Sequence, residues 1–490
     1  MASGTCNCKC ECKQKRPQEN GGSEEISWQS FTQEVSMHGI RYVSQKTASA
    51  SNRVTWLFAI VVMLAYATGA SYDLFSALIR KETTTKLKNT RVEMLRFPSV
   101  VFCDHRGYEK KAVLAAIEQY NLTGLDQFLL ERYSYYVPAS IDWSSAEFQN
   151  LANLSSAEWK KLLFSLVPPL ESSIITASFG SQSLNVSAEF QTIFTDYGPC
   201  FIFNKDGKHS STFNGIYSGL NIALSANVDE YWTGPLVSNN GFTIALLEPG
   251  DVPLMEVHGT IGITPGTSAD ILITQRKYFR QPPPADNNTA NCYDTDNNPN
   301  PLTIYPTYTY NGCIRECGAK YINYKCGCRP MESVAVPGIE ICSPKVAIEC
   351  TKVVDWSEYM TFAVREKCNC LIPCKEVHYD SQSAIFQAPN ERIANVTFGN
   401  GALNWQRKNL ITMRLSYKTL SYETLEEHKP YGFVAVVANI GGTMGVCIGA
   451  SALTVCEFIQ FGIQAIKRRY NKWRKQNSTS IIHVLPPPKD

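Results

Sequence analysis

Gly441, Gly445 and Gly449 recur at four-residue intervals inside the longest uncharged stretch of the chain. At that spacing they fall on one helical face, and Gly442, Ala450 and Ser451 alongside leave the backbone unusually bare. Small residues of this kind let membrane helices pack closely. They equally leave room for a narrow pore in which carbonyl or hydroxyl oxygens face an ion. Tyr431 to Ile466 is 36 residues interrupted only by Glu457, about 54 Å as one helix, more than a bilayer's hydrocarbon. Such a helix must project beyond the membrane, tilt or break. A break at Gly449-Ala450-Ser451 is tolerated where the exposed carbonyls line a cavity or are buried in protein. Glu457, roughly two turns past Ser451, is expensive in lipid and is expected to face water or a partner. Gly441, Gly445 and Glu457 are therefore candidates to line a permeation path.

The 18 cysteines form a second chemical pattern. Ten crowd into 292–374, including the CGC at 326–328 and the CNC at 368–370. Such pairs can hold zinc, although an oxidising compartment favours disulfides. Cys6, Cys8, Cys10 and Cys12 form a tail run open to acylation, to metal binding, or to neither. Cys447 and Cys456 sit in the long uncharged segment, which leaves twelve others, an even number as full pairing requires. No Gly-x-Ser-x-Gly, His-Glu-x-x-His or phosphate loop is present. His105, His209, His258, His378 and His428 are scattered and read as structural. Neither enzyme activity, a metal nor a cofactor is expected.

The elements that must position these residues follow from the apolar runs. Val54–Tyr72 is 19 residues without a charge, roughly 28 Å of helix. It starts too late, and lacks a small-residue cleavage pattern, to be a signal peptide. Two transmembrane helices are expected, at 54–79 and 431–466. Residues 467–490 hold seven Lys/Arg against only Asp490, and residues 1–53 hold seven against five acids. The positive-inside rule then places segments 1–53 and 467–490 in the cytoplasm and 80–430 outside a plasma membrane. Sequons at Asn121, Asn153, Asn185, Asn287 and Asn395 all lie in that outer segment and suit glycosylation there. The near balance of 46 Lys+Arg against 44 Asp+Glu removes bulk-electrostatic binding of nucleic acid. With 44% hydrophobic residues the chain can bury a core.

Within 80–430, residues 107–170 carry amphipathic helical patterns such as EKKAVLAAIEQY and SSAEWKKLLFSLV. Residues 198–280 switch to short strand-like runs (CFIFN, GLNIAL, GFTIALL, ADILITQ) separated by turn residues. QPPPADNN and DTDNNPNP read as loops, and NLITMRLSYKTLSYETL alternates again before the second span. The expected fold is an α+β membrane protein: two transmembrane helices flanking a large disulfide-rich domain with a central β-sheet and peripheral helices.

Several motifs occur in order between roughly residues 30 and 470. They are His38-Gly39; Phe97-Pro98-Ser99-Val100 with Cys103; Tyr197-Gly198-Pro199-Cys200 with Phe203-Asn204; GCIRECGAKYINYKCGCRP; CNCLIPC; and Asn439-Ile440-Gly441-Gly442 followed by Gly449-Ala450-Ser451. Together they resemble the degenerin/epithelial sodium channel family, most closely its acid-sensing and peptide-gated branches. The resemblance implies a trimeric, sodium-selective channel, blocked by amiloride-type compounds, with a palm, finger, thumb and knuckle body. It assigns Gly449, Ala450 and Ser451 to the selectivity filter and His38 and Gly39 to a cytoplasmic gating motif. It also implies the pairs Cys103–Cys200, Cys292–Cys374, Cys313–Cys370, Cys317–Cys368, Cys326–Cys350 and Cys328–Cys342. Ala435 and Ala438 are expected at the pore mouth, where a bulky side chain holds the channel open. The implied partners are Na+ as permeant ion, membrane lipid, an extracellular peptide or protons as activator, and like or related subunits in a homotrimer or heterotrimer.

Departures from the family pattern concern the stimulus. The position of a His pair after the first span is Glu82-Thr83, and a gating Lys aligns near Phe213. An acidic pair becomes Gly250-Asp251, a partnering Glu becomes Asn221, a coupling aromatic becomes Ala285, and an Asp beyond the filter becomes Gln460. Proton gating needs groups whose pKa moves with conformation, and these losses favour a neuropeptide or other small ligand as activator. Two other readings compete. An ATP-gated trimeric channel also has two spans, but needs a basic cluster for triphosphate that is missing here. A two-pass adhesion receptor or ectoenzyme leaves the glycine-lined span unexplained.

Overall fold

In the computed structural model the uncharged run after Arg53 lies within one 31-residue helix, Ala50–Arg80. The structure describes residues 28–482 apart from 46, 81–83, 134–140, 232–239, 282–291, 332, 334–335, 352–366, 388–391, 393–395, 397–401 and 429–431. The tail cysteines, Glu82-Thr83, Ala285, Asn287 and Asn395 lie outside those residues. The chain divides into two units, Met1–Thr84 with Lys429–Asp490, and Thr85–His428.

The first unit is helical. Hydroxyls along Ala50–Arg80 turn back on the helix, Thr68 Oγ1 to Leu64 O at 2.9 Å and Ser71 Oγ to Ala67 O at 2.7 Å. That local bonding lets polar residues sit in an otherwise apolar segment. Among the described residues this is the one helix long and apolar enough by itself to cross a membrane. The C-terminal apolar segment is two helices, Phe433–Ile448 and Ala452–Ile482. Taken to Arg474, the pair meets the same test as a single broken span, bent by 76°. Phe433–Ile448 packs against Ala50–Arg80, whose buried residue is Ala67, with Val436 and Ile448 buried on its own side.

The second unit is built on two principal sheets. One runs in the order β13 (Lys375–Gln387), β12 (Thr267–Phe279), β14 (Leu410–His428), β9 (Leu220–Ser225), β4 (Ile174–Phe179) and β5 (Gln182–Ser183), with β1 (Thr84–Arg91) also pairing β14. The other has β11 (Gly259–Ile263), β10 (Phe242–Leu247), β3 (Ser99–Asp104), β7 (Gly198–Phe203) and β6 (Phe190–Thr195). The short β2 (Leu95–Arg96) and β8 (Ser210–Ser211) form a third pair. Strands β3 and β7 are buried along their whole length around the apolar runs VVFC and PCFIF. β12 and β14 pair in parallel, and the Asp270↔Arg414 register brings carboxylate and guanidinium together in two bonds of 2.5 and 2.6 Å. The main core gathers residues of both principal sheets, among them Phe102, Phe203, Leu220, Ile244, Ile271 and Met413, with Phe97 beside them.

A second core is helical: Lys110–Tyr120, Leu125–Tyr133, Gln149–Ala152 and Ser156–Leu166 meet around Phe128, Trp159 and Leu163. Ser155 and Glu158 close a reciprocal cap at the start of the last of these helices, the signature present in SSAEW. The helix Tyr310–Cys326 was not evident from its weakly apolar sequence. Thr309 caps it by accepting from Gly312 N at 3.0 Å, and Gly327 ends it at φ 71°. Cys313 and Cys317, one turn apart on that helix, bond Cys370 and Cys368. The remaining bridges are Cys103–Cys200, Cys292–Cys374, Cys326–Cys350 and Cys328–Cys342. Cys447 and Cys456 are the free thiols among the described residues.

Candidate functional site

The uncharged C-terminal segment breaks where the side chains are smallest. Gly449 takes φ 67° and ψ 15°, a left-handed conformation that a residue with a Cβ adopts at a cost. Its N–H bonds Gly445 O at 2.9 Å, and Ala450 N bonds Met444 O at 3.3 Å, which satisfies the last carbonyls of the first helix. The expectation of three glycines on one helical face is corrected here: Gly441 and Gly445 are helical, and Gly449 ends the helix. Ser451 then opens the second helix. Its N–H donates to Thr454 Oγ1 at 3.0 Å, while Thr454 N reaches Ser451 Oγ at 3.4 Å.

The N-terminal segment of the same unit seats against this break. Phe31, on the helix Trp28–Glu34, stacks on Phe461 at 4.3 Å and meets Phe458 edge-on at 5.0 Å. Trp28 adds an edge contact to Phe461 at 5.8 Å. The chain then turns at His38-Gly39. His38 N donates to Ile448 O at 2.9 Å, and a Cβ built on Gly449 falls 2.0 Å from His38 Nδ1. Gly39 holds φ 90° with Ile60 close beneath it, and Tyr42 stacks on Trp56 at 4.6 Å in the next helix. Glu457 finds the polar partner its position demands: its Oε2 accepts from Ser36 N at 3.0 Å and Ser36 Oγ at 3.1 Å. Ser36 Oγ also pairs with the buried Thr454 Oγ1 at 2.6 Å.

His38, Gly39, Gly449, Ser451 and Glu457 thus meet in one cluster, while Gly441, Gly445, Ala435 and Ala438 lie on the preceding helix. A Cβ at Gly441 or Gly442 would meet nothing within 4 Å, and one at Gly445 only Ala450 O at 3.9 Å. The glycine face is bare in the single chain. Ser36, Thr454 and the aromatic clasp were missed by sequence reasoning, although Trp28/Phe31 and Phe458/Phe461 share an i,i+3 spacing that marks two helical stripes. Asn121 and Asn153 are exposed, and Asn185 caps Val186–Glu189 through its Oδ1.

In the second unit a set of titratable groups converges from three elements. Asp251 is largely buried, which pushes its carboxyl up, though it accepts from Val252 N at 2.7 Å. Burial holds the neighbouring His258 imidazole below its usual range, and its Nε2 lies 3.0 Å from Asn311 Nδ2 on the helix Tyr310–Cys326. Burial raises Glu376 on β13, but His378 at 2.7 Å and Arg280 at 2.6 Å outweigh it and hold the carboxylate low. Such groups change protonation when their packing changes. Phe213 is exposed, and Asn221 lies in β9 opposite Arg414.

The profile of the amiloride-sensitive sodium channel family matches residues 31–461. Acid-sensing ion channel 1 of Gallus gallus is 25% identical over 488 residues, covering 94% of this chain and 89% of the relative. Acid-sensing ion channel 2 of Homo sapiens is 26% identical, covering 93% and 90%. The bile acid-sensitive ion channel of Homo sapiens is 24% identical, covering 88% and 84%.

Proposed function

The chain belongs to the amiloride-sensitive sodium channel family, and from that premise we propose that it forms a sodium-selective plasma-membrane channel opened by an extracellular neuropeptide or other small ligand. In this reading the two apolar segments cross the membrane, both termini are cytoplasmic, and three like or related subunits surround one pore. Gly449, Ala450 and Ser451 form the filter, Gly441, Gly445 and Glu457 line the path, and Ala435 and Ala438 sit at its mouth. His38 and Gly39 bear on gating.

The observation that carries the reading is the break at Gly449–Ser451. Irregular backbone within an uncharged span is costly in lipid and is tolerated where it faces protein or a cavity. Here one side is occupied by His38 and Ser36, while the glycine face of the preceding helix is bare. A narrow path lined by backbone and hydroxyl oxygens suits a small dehydrating cation.

A proton stimulus is the second reading, favoured by the Asp251–His258–Glu376 convergence. Two reported relatives are named as acid-sensing channels and one as bile acid-sensitive. Whole-cell recording from cells expressing this chain, with pH steps and then amidated peptides, separates the two. An amiloride-blocked inward Na+ current to peptide alone supports the first, and current to acid alone supports the second. Ser451→Phe is expected to abolish the current or alter Na+/K+/Li+ preference. Unaltered selectivity in a surface-expressed Ser451→Phe channel overturns the filter assignment.

A further inference from the structure

The helix Ala452–Ile482 continues well past the apolar run and carries a second pattern. Ile459, Ile463, Ile466, Tyr470 and Trp473 are all exposed. At 3.6 residues per turn they fall within an arc of about 80°. The Tyr470 and Trp473 rings lie 6.2 Å apart at the far end of that stripe. From Lys467 to Arg474 the residues off the stripe are Lys467, Arg468, Arg469, Lys472 and Arg474 with Asn471, and no acid occurs between Phe458 and Arg474. The same wheel puts Arg469 on one flank of the stripe and Lys467 and Arg474 on the other.

An apolar stripe with interfacial aromatics, flanked by cations, complements the boundary of an anionic bilayer. The stripe is continuous with the segment read as entering the membrane, so no separate docking event is needed. The 76° bend at Gly449–Ser451 also frees this helix from the direction of Phe433–Ile448. Past Ile466, where the apolar run ends, its cationic turns fall at the membrane boundary. We propose that Ile466–Arg474 is an inner-leaflet anchor, with Tyr470 and Trp473 in the interfacial layer and the five cations on anionic phospholipid headgroups. The occupant is a lipid surface, because a soluble polyanion would leave the aromatic stripe in water.

The inference rests on membrane insertion and cytoplasmic placement of this segment, not on gating or selectivity, so its test reads no current. The full chain is reconstituted in phosphatidylcholine vesicles with and without about 20% phosphatidylserine, including dibrominated phosphatidylcholine as a short-range quencher. The Trp473 contribution is the difference between the chain and Trp473→Phe. It is expected to be quenched strongly with phosphatidylserine, weakly without it, and weakly again in 1 M NaCl, where screening shortens to about 3 Å. Substituting all five cations by Gln is expected to remove the phosphatidylserine dependence, each losing about fivefold in lipid affinity. Lys467→Gln with Arg469→Gln gives a partial loss and serves if the larger change impairs folding. Equal quenching with and without phosphatidylserine, or quenching indifferent to both substitutions, overturns the proposal.

Discussion

Gly449→Ala is the sharpest perturbation of the break. A left-handed backbone costs a residue with a Cβ about 1–2 kcal/mol. The new Cβ would also lie 2.0 Å from His38 Nδ1. Ordinary contact is about 3.5 Å, so the imidazole must retreat by about 1.5 Å. That movement strains the His38 N–H bond to Ile448 O, worth about 1 kcal/mol. The sum is about 2–3 kcal/mol against the folded chain, of which the His38 part, about 1 kcal/mol or about fivefold, falls on the equilibrium between seated and released N-terminal segment. Gly441→Ala and Gly442→Ala are the controls, because a Cβ at either meets nothing within 4 Å. In a helix those changes gain up to about 1 kcal/mol. Thermal unfolding of the solubilised full-length chain should fall for Gly449→Ala and hold or rise for the controls. In a His38→Ala background the clash partner is gone, and the cost should shrink to the backbone term, a coupling of about 1 kcal/mol. If Gly449→Ala matches Gly441→Ala, or its cost is the same with and without the His38 side chain, the packing of His38 against Gly449 is refuted.

Three further outcomes are expected. Glu316 is buried, which pushes its carboxyl up, but bonds from Lys320, Thr303 and Ile304 outweigh burial and hold it at about 2. Its folded pKa lies below the unfolded one near 4.5, so this contribution of about 3 kcal/mol is present above pH 4.5 and lost as pH falls toward 2. Acid unfolding of Glu316→Gln should lack that slope, and an unchanged slope counts against the pairing. Trp159→Ala opens a cavity beside Phe128, whose ring is 5.1 Å away, costing about 3–5 kcal/mol. Hydrogen exchange should accelerate across the helices of residues 110–166 and leave β12 and β14 protected; equal loss in both would mean one indivisible core. Thr454→Val strips the hydroxyl partner from Ser451 N and one of the two partners of Ser36 Oγ, about 1–2 kcal/mol, seen as faster protease release of the N-terminal segment, and unaltered release would remove Thr454 from the clasp.

The apolar periodicities and small-residue runs determined much of this chain from the sequence alone. The apolar middle of Ala50–Arg80 and the apolar character of Phe433–Ile448 follow from uncharged length, and Ser156–Leu166 from its amphipathic pattern and capping box. Strands such as β7 and β10 follow from short apolar runs between turn residues. These are local signals, and local physics suffices for them. The motif order likewise made the family legible, and the break at Gly449–Ser451 was among the outcomes that uncharged length allowed.

Tertiary structure decided what met what. Tyr310–Cys326 has little apolar periodicity, and its helix depends on caps and on bridges to residues far along the chain. Nothing local could place Ser36 on Glu457, separated by 421 residues, or His38 beside Gly449. Those contacts depend on two distant segments arriving at one place, and the turn at Gly39 and the break at Gly449 matter only because they meet there. Asp251, His258 and Glu376 are ordinary residues in the sequence; burial sets the pKa directions of the first two, and the bonds from His378 and Arg280 set that of Glu376 against burial. Periodicity gives each element its face; long-range packing chooses the partner for that face, and the candidate site is made of such choices.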